Sequence, residues 1–261
     1  IAYDYTDHAG NAAQTVFRSV QVVDNQAPVI TLIGATNISL EAGSAYIDAG
    51  ANWNDEIDGN GTAEATGTVD ANVPGTYTIT YSFTDSSGNA AQSVTRTIEV
   101  IDTTAPIITL IGDANLTHEG GAEYVDEGAN WTDLVDGSGF LEAIGEVDHN
   151  TPGTYQVSFD YTDQAGNAAQ TVYRSVQVVD SQAPVIALLG DSNITHEAGA
   201  EYIDAGATWH DAVDGDGTAE ATGTVDANVP GTYTITYSFT DSSGNIAQSI
   251  TRTIEVVDTT P

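Results

Sequence analysis

The sequence predicts an all-β fold: small β-sandwich domains joined in tandem as an extended array. Three observations carry this prediction. Apolar and hydroxyl side chains alternate along a hairpin that appears again and again. The copies stand 78 residues apart, each closing on an aspartate: Asp24, Asp102, Asp180 or Asp258. No window sustains the apolar period of about 3.6 residues that marks a helix.

The clearest hairpin runs from Pro74 to Asp102. Its first strand sets Tyr77, Ile79, Tyr81 and Phe83 against Thr78, Thr80, Ser82 and Thr84. Its second sets Val94, Ile98 and Val100 against Thr95, Thr97 and Glu99, across an Asp-Ser-Ser-Gly-Asn turn. A period of two is that of a half-buried strand, and Asp, Gly and Asn suit a tight turn. Gly, Pro and Asn breaks then predict strands near Val29–Leu32, Asn37–Glu41, Ala45–Ala51, Thr62–Val69, Thr76–Asp85 and Ala91–Val100.

The repeat divides the chain. Residues 1–24 read as the C-terminal hairpin of a truncated repeat; 25–102, 103–180 and 181–258 are complete repeats; 259–261 begin the next linker. The chain is therefore expected to be a window cut from a longer repeat protein. The linkers Asp102-Thr-Thr-Ala-Pro106 and Asp180-Ser-Gln-Ala-Pro184 are short, and proline stiffens them. Residues 61–100 and 217–256 differ only at Ala90/Ile246 and Val94/Ile250, so a two-repeat unit has been copied.

Units of this size bury little core, and the chain has neither cysteine nor lysine to crosslink it. A metal is a plausible staple. With 38 acids against 4 arginines the net charge is −34, which repels nucleic acid and anionic lipid and attracts cations. The same charge would also serve as a solvated surface suited to salty water. No stretch approaches the roughly 20 apolar residues of a membrane helix, so no membrane insertion is expected in this segment.

Eight acidic positions recur in all three repeats: Glu41, Asp48, Asp55, Asp58, Glu64, Asp70, Asp85 and Asp102, with their counterparts. Three groups among them have the character of calcium ligands. One is Asp55 and Asp58 before glycine, with Asp133 and Asp136, and Asp211 and Asp214. The second is the hairpin turn: Asp85 with Asn89, Asp163 with Asn167, Asp241 with Asn245. The third is the closing aspartate, at Asp24, Asp102 and Asp180. Closely spaced carboxylates let a loop gather oxygens around a hard cation, although turn chemistry alone also favours Asp, Asn and Gly.

Arg18, Arg96, Arg174 and Arg252 share one repeat position on the apolar face of their strand. A structural ion pair is expected, with Glu41 or Asp48 as partner of Arg96. Trp53, Trp131 and Trp209 also share a position; by parity with Ile47, Ala49 and Ala51 they face the core, and sugar stacking is the lesser reading. His118 and His196 have Leu40 as their counterpart in the first complete repeat, which argues against zinc. The Asn-x-Ser/Thr sites at Asn37, Asn115 and Asn193 matter only in a glycosylating host. No recurring nucleophile–base pair or phosphate loop is present, so no enzyme is expected.

The series Ala-Pro-Val-Ile-Thr-Leu-Ile-Gly (27–34), Glu-Ala-Gly-Ser-Ala-Tyr-Ile-Asp-Ala-Gly-Ala (41–51), Val-Pro-Gly-Thr-Tyr-Thr-Ile-Thr-Tyr (73–81) and Thr-Asp-Ser-Ser-Gly-Asn (84–89) resembles the bacterial surface Ig-like domain. That family is found in tandem in large adhesins and is related to hyalin-type repeats. Pro74-Gly75-Thr76-Tyr77 resembles its tyrosine corner, repeated at Tyr155 and Tyr233. The resemblance implies an extracellular, cell-surface Ig-like sandwich used as spacer or adhesive module. In that arrangement the closing aspartate of one repeat meets both acidic loops of the next. Asp24 would meet Asp55, Asp58, Asp85 and Asn89; Asp102 would meet Asp133, Asp136, Asp163 and Asn167; Asp180 would meet Asp211, Asp214, Asp241 and Asn245. Four carboxylates together are costly unless Ca²⁺ offsets them. The expected function is a calcium-stiffened extender of a surface adhesin or fibre. Its partners would be calcium, neighbouring repeats, and like copies or a surface receptor. A carbohydrate- or protein-binding Ig-like module is the alternative.

Overall fold

The computed structural model describes residues 1–260 and contains strands and turns throughout, with no helix among the described residues. Two short strands come first, β1 (Ala2–Tyr3) and β2 (Val16–Phe17), paired antiparallel. Residues 25–102 then carry β3 (Val29–Leu32), β4 (Asn37–Glu41), β5 (Ala51–Asp55), β6 (Gly59–Thr62), β7 (Glu64–Thr66), β8 (Gly75–Ser82) and β9 (Val94–Ile101). These form two sheets, ordered β3-β5-β6 and β4-β9-β8-β7. Within them β4 runs parallel to β9, and the other pairs are antiparallel.

The pattern returns in 103–180 as β10 (Ile107–Leu110), β11 (Asn115–Glu119), β12 (Ala129–Asp133), β13 (Gly137–Leu141), β14 (Gly153–Phe159) and β15 (Val172–Val179). It returns again in 181–258 as β16 (Val185–Leu188), β17 (Asn193–Glu197), β18 (Ala207–Asp211), β19 (Gly215–Thr218), β20 (Glu220–Thr222), β21 (Gly231–Ser238) and β22 (Ile250–Val257). The sheets are β10-β12-β13 with β11-β15-β14, and β16-β18-β19 with β17-β22-β21-β20. The chain forms two compact units, Ile1–Thr104 with Leu134–Gly137, and Ala105–Asp133 with Ser138–Pro261.

Each pair of sheets encloses its own core. Ile30, Ala51, Ile79, Tyr81, Ile98 and Val100 fill the first, Ile108, Ala129, Val157 and Phe159 the second, and Ile186, Ala207, Ile235, Tyr237, Ile254 and Val256 the third. The inward set is the alternate set, as the pleat requires. Tyr77, Tyr155 and Tyr233 close their corners by donating to the carbonyls of Val73, Thr151 and Val229 at 2.9–3.0 Å.

Two predicted strands differ. Residues 45–50 form no strand. Ile47 there is 86% exposed, so it shares no apolar face with Trp53. This segment instead delivers Tyr46 and Asp48 to Arg96. The predicted strand Thr62–Val69 is two strands on different sheets. β6 ends at Thr62, the Ala63 amide donates to the Ala51 carbonyl at 2.9 Å, and Glu64 already pairs with Ser82 of β8. Alternation reports half-burial; it does not report which sheet a strand joins.

The tryptophans lie between the sheets, half-buried. Trp53 stacks on Phe83 with ring centroids 3.8 Å apart, Trp131 on Tyr161 at 3.9 Å and Trp209 on Phe239 at 3.9 Å. Each indole also lies across a glycine of the neighbouring strand. A β-carbon on Gly217 would stand 2.5 Å from the Trp209 ring. Gly217→Ala is therefore expected to cost about 1–3 kcal/mol through displaced packing. The denaturation midpoint followed by Trp209 fluorescence in a Trp53→Phe, Trp131→Phe background checks it; an unmoved midpoint would contradict the clash.

Candidate metal centre

The acids that recur come together at the linkers. In the first unit Asp24 precedes β3, Asp58 lies in the β5–β6 turn, and Asp85 opens the turn after β8. One carboxylate oxygen from each lies within 4.8 Å of the other two. Asp180, Asp214 and Asp241 form the same group within the second unit. Asn89 Nδ2 donates to the Asp24 carbonyl at 3.3 Å and Asn245 Nδ2 to the Asp180 carbonyl at 3.2 Å, tying linker to turn.

Local chemistry aims these groups. Asp85 Oδ1 accepts from the Ser87 and Asn89 amides at 3.0 and 2.6 Å, and its Oδ2 from Asn89 Nδ2 at 2.7 Å. Burial raises the Asp85 carboxyl, but the Asn89 and turn-amide bonds outweigh it and hold the group below the usual carboxylate range. Asp163 and Asp241 are held low in the same way. Asp58 accepts from the amide and hydroxyl of Ser86 at 2.7 and 2.8 Å, as Asp214 does from Ser242 at 2.7 Å for both. Those serines escaped the sequence reading; their signal is their place directly after the turn aspartate.

Asp55 and Asp211 stand outside these trios and cap the β5–β6 and β18–β19 turns. Asp55 Oδ1 accepts from Ile57 and Asp58 at 2.8 and 2.9 Å; Asp211 Oδ1 accepts from Val213 and Asp214 at 2.8 and 3.0 Å. In that loop Oδ1 of Asp55 and Asp211 thus serves the turn, while Asp58 and Asp214 contribute to the trios. Of the middle set, Asp133 and Asp163 present carboxylate oxygens within 4.8 Å in the second unit, and Asp163 is bonded to Asn167 at 2.7 and 2.8 Å. Asp102 belongs to the first unit, where it accepts from the Thr104 amide at 3.2 Å, and Asp136 lies in the Leu134–Gly137 segment of that unit.

The donor set is suited to a hard cation. Oδ2 of Asp24 and of Asp180, one in each trio, is buried and meets no hydrogen-bond donor, and the same holds for Oδ2 of Asp55 in the adjoining turn. A desolvated carboxylate oxygen beside other carboxylates is unfavourable without a positive charge. All the atoms that the trios offer are carboxylate oxygens, a donor set that suits a hard cation such as Ca²⁺ better than softer metals.

Hydrogen bonds to glutamate also fasten the linkers. Glu41, the last residue of β4, accepts from the Thr103 amide at 2.9 Å, the Thr103 hydroxyl at 2.7 Å and the Thr104 hydroxyl at 2.9 Å. Glu119 takes the amide and hydroxyl of Ser181, and Glu197 those of Thr259, all at 2.8 Å. These bonds hold the three glutamates below their ordinary range. Glu41 is thus not the partner of Arg96. Apolar residues of the following loop add to the joint: Ala212 and Val213 would lie 2.6 and 2.8 Å from β-carbons on Gly121 and Gly120, and Leu134 would collide with one on Gly43.

Arg96 is fully buried and pairs with Asp48. It also donates to the Ala35, Ile33 and Gly50 carbonyls and to the Tyr81 hydroxyl. Arg174 with Asp126 and Arg252 with Asp204 repeat the arrangement, whereas Arg18 is exposed beside Tyr3. In the middle repeat Phe159 replaces Tyr81, and Tyr124 donates to Asp126 at 2.7 Å, where its counterparts Tyr46 and Tyr202 donate to Asp48 and Asp204 at 3.2 Å. Burial raises the Asp126 carboxyl, but Tyr124, the Gly128 amide and Arg174 outweigh it and hold it low; burial and that same carboxylate push Tyr124 up to about 12. A depressed carboxylate contributes stability above its unfolded value near pH 4, lost as pH falls through the folded value. The stability gap between the native chain and Asp126→Asn should therefore be constant near neutrality and close below about pH 4. Paired denaturant titrations at stepped pH check this; a gap that persists unchanged at pH 3 would contradict it.

Comparisons with known proteins agree with the repeat. The family model described as "Bacterial surface protein, Ig-like domain" matches residues 30–100, 108–178 and 186–256. Hyalin of Strongylocentrotus purpuratus is 27% identical over 281 aligned residues, covering 100% of this chain and 23% of hyalin. Hyalin of Lytechinus variegatus is 29% identical over 282, covering 100% of this chain and 53% of that protein. The chain thus spans a quarter to a half of these relatives. Among solved structures, the extracellular cadherin domains 1–5 of protocadherin gamma B2 align with 99% of this chain and 65% of theirs, at 11% identity and a TM-score of 0.34.

Proposed function

Since this chain belongs to the Ig-like domain family of bacterial surface proteins, we propose that it is a calcium-stiffened extender segment of a surface adhesin or fibre. It would act outside the cell, carrying an adhesive tip away from the surface or building the fibre itself. The observation that carries this reading is the placement of the acidic trios. Asp180 belongs to a linker while Asp214 and Asp241 belong to turns of the following repeat, so whatever holds all three joins one repeat to the next. Asp24, Asp58 and Asp85 stand in the same relation. Bound there, Ca²⁺ would supply positive charge to oxygens that otherwise repel one another, and these residues would hold it.

The half-buried, ring-stacked tryptophans speak against sugar recognition through those rings, so the extender reading is preferred to a carbohydrate module. Calorimetric titration of the metal-stripped chain with CaCl₂ is the test. Saturable binding is expected, with the Asp241→Asn variant losing one site. No saturable heat up to millimolar calcium would overturn the proposal.

A further inference from the structure

Five Asn-x-Ser/Thr triplets occur in the chain, at Asn37, Asn60, Asn115, Asn130 and Asn193, and the fold treats them differently. Asn37, Asn115 and Asn193 are the first residues of β4, β11 and β17. Those strands are sheet edges, so one side of their backbone is unpaired. Each Asn and its following hydroxyl residue, Ser39, Thr117 or Thr195, is exposed on one face, while the residue between them points inward. β-propensity alone would accept any β-branched residue at the third place; a hydroxyl stands there every time.

Two of the three carry a further feature. Asp113-Ala-Asn115-Leu-Thr117 and Asp191-Ser-Asn193-Ile-Thr195 have an aspartate two residues before the asparagine, where Ala35 precedes Asn37. Asp113 and Asp191 are exposed. Among the described residues their backbone carbonyls are engaged, by Arg174 and Arg252 at 3.0 and 2.9 Å, and their carboxylates are not. We infer that Asn115 and Asn193 are acceptor sites for an N-linked glycan, added by an oligosaccharyltransferase that requires an acid at that place. A carboxylate at that place would pair with a cationic side chain of such a transferase, and the hydroxyl would supply a hydrogen bond to it.

The transfer balances with a lipid-diphosphate-linked oligosaccharide as donor. Asparagine Nδ2 attacks the first sugar carbon, a C–N bond forms, and the C–O bond to phosphate breaks. The lipid diphosphate leaves, and the displaced amide proton goes to a base of the transferase.

The other triplets are withheld by the fold. Asn60 also follows an acid, Asp58, but Ser86 holds that carboxylate at 2.7 and 2.8 Å. Asn130 lies in β12, the central strand of its sheet, with both backbone edges paired and Gly128 in the acid's place. Glycans at Asn115 and Asn193 would cover an exposed sheet edge, a place where chains otherwise pair.

The whole chain, exported to the periplasm of a bacterium carrying an acid-requiring oligosaccharyltransferase and its lipid-linked glycan, tests this by intact mass and peptide mapping. An acid-containing acceptor peptide fused to the C-terminus serves as control. The folded chain should gain two glycans besides the control, at Asn115 and Asn193. Asp113→Ala and Asp191→Ala should each remove one, and Ala35→Asp should add one at Asn37. Circular dichroism verifies that the variants remain folded, as expected where only backbone atoms are engaged. A eukaryotic-type transferase, indifferent to the acid, should also modify Asn37 in the native chain. Modification of the control peptide with Asn115 and Asn193 bare would overturn the inference, as would occupancy insensitive to Asp113→Ala.

Discussion

Replacing Arg96 with alanine is expected to destabilise its repeat by about 3–5 kcal/mol, the usual result of removing one partner of a buried ion pair. Three consequences act together. The Asp48 carboxylate loses its counter-charge, and the Ala35, Ile33 and Gly50 carbonyls lose a donor. The Tyr81 hydroxyl loses one of its two partners, keeping Asp48 at 2.6 Å. A cavity also opens between the sheets, because Arg96 is among the largest fully buried side chains. Arg96→Lys should fall between, since an ammonium cannot reach carbonyls in several directions as a planar fork does. Each complete repeat has one tryptophan, so a background of Trp131→Phe and Trp209→Phe leaves Trp53 to report this repeat alone. Denaturant unfolding followed by Trp53 should show the full loss; a change within about 0.5 kcal/mol would mean the guanidinium is only packed, not required.

On the proposed calcium reading, chelation is expected to loosen the joints while leaving the β-structure in place. Each core is enclosed by its own two sheets and is built of apolar side chains, none of them in the acidic trios. The trios join a linker to the loops of the next repeat, and without a cation their carboxylates repel. The gain from a bound ion grows as RT ln(1 + [L]/Kd), about 2.7 kcal/mol at a hundredfold excess over Kd. The glutamate clasps narrow where the freedom can appear. Glu119 keeps Ser181 on the preceding repeat whether or not metal is bound, so the hinge is expected at Gln182–Pro184 rather than across the whole linker. Small-angle scattering with calcium and with chelator should show a changed maximum dimension, while far-UV circular dichroism stays constant. An unchanged dimension would refute the hinge, and loss of the β-signal would refute the division between core and joint. Asp180→Ala should reproduce the loosening at its own joint in the presence of calcium.

Much of this architecture was legible in the residues. Alternation along β8 and β9 exposed their inward faces, because a pleat sends successive side chains to opposite sides. The repeat itself exposed the recurring acids, arginines and tryptophans, since a position that must serve the same contact in each copy keeps its chemistry. The tyrosine corner was readable for the same reason.

Other features were decided only by the packed chain. Ala63 carries the strand from one sheet to the other, and nothing in a period of two records such a crossing. Glu41 and Asp48 are both acids within reach of Arg96 in sequence terms. The irregular segment before β5 brings Asp48 to the guanidinium, while the parallel pairing of β4 with β9 sends Glu41 to the linker. Asp55 and Asp58 share one loop, yet Asp55 caps the turn and Asp58 joins Asp24 and Asp85. Local sequence determines which groups are available and how far apart they lie along the chain. Which of two similar acids meets a given partner depends on backbone direction and strand pairing, and those are settled by contacts between residues distant in sequence.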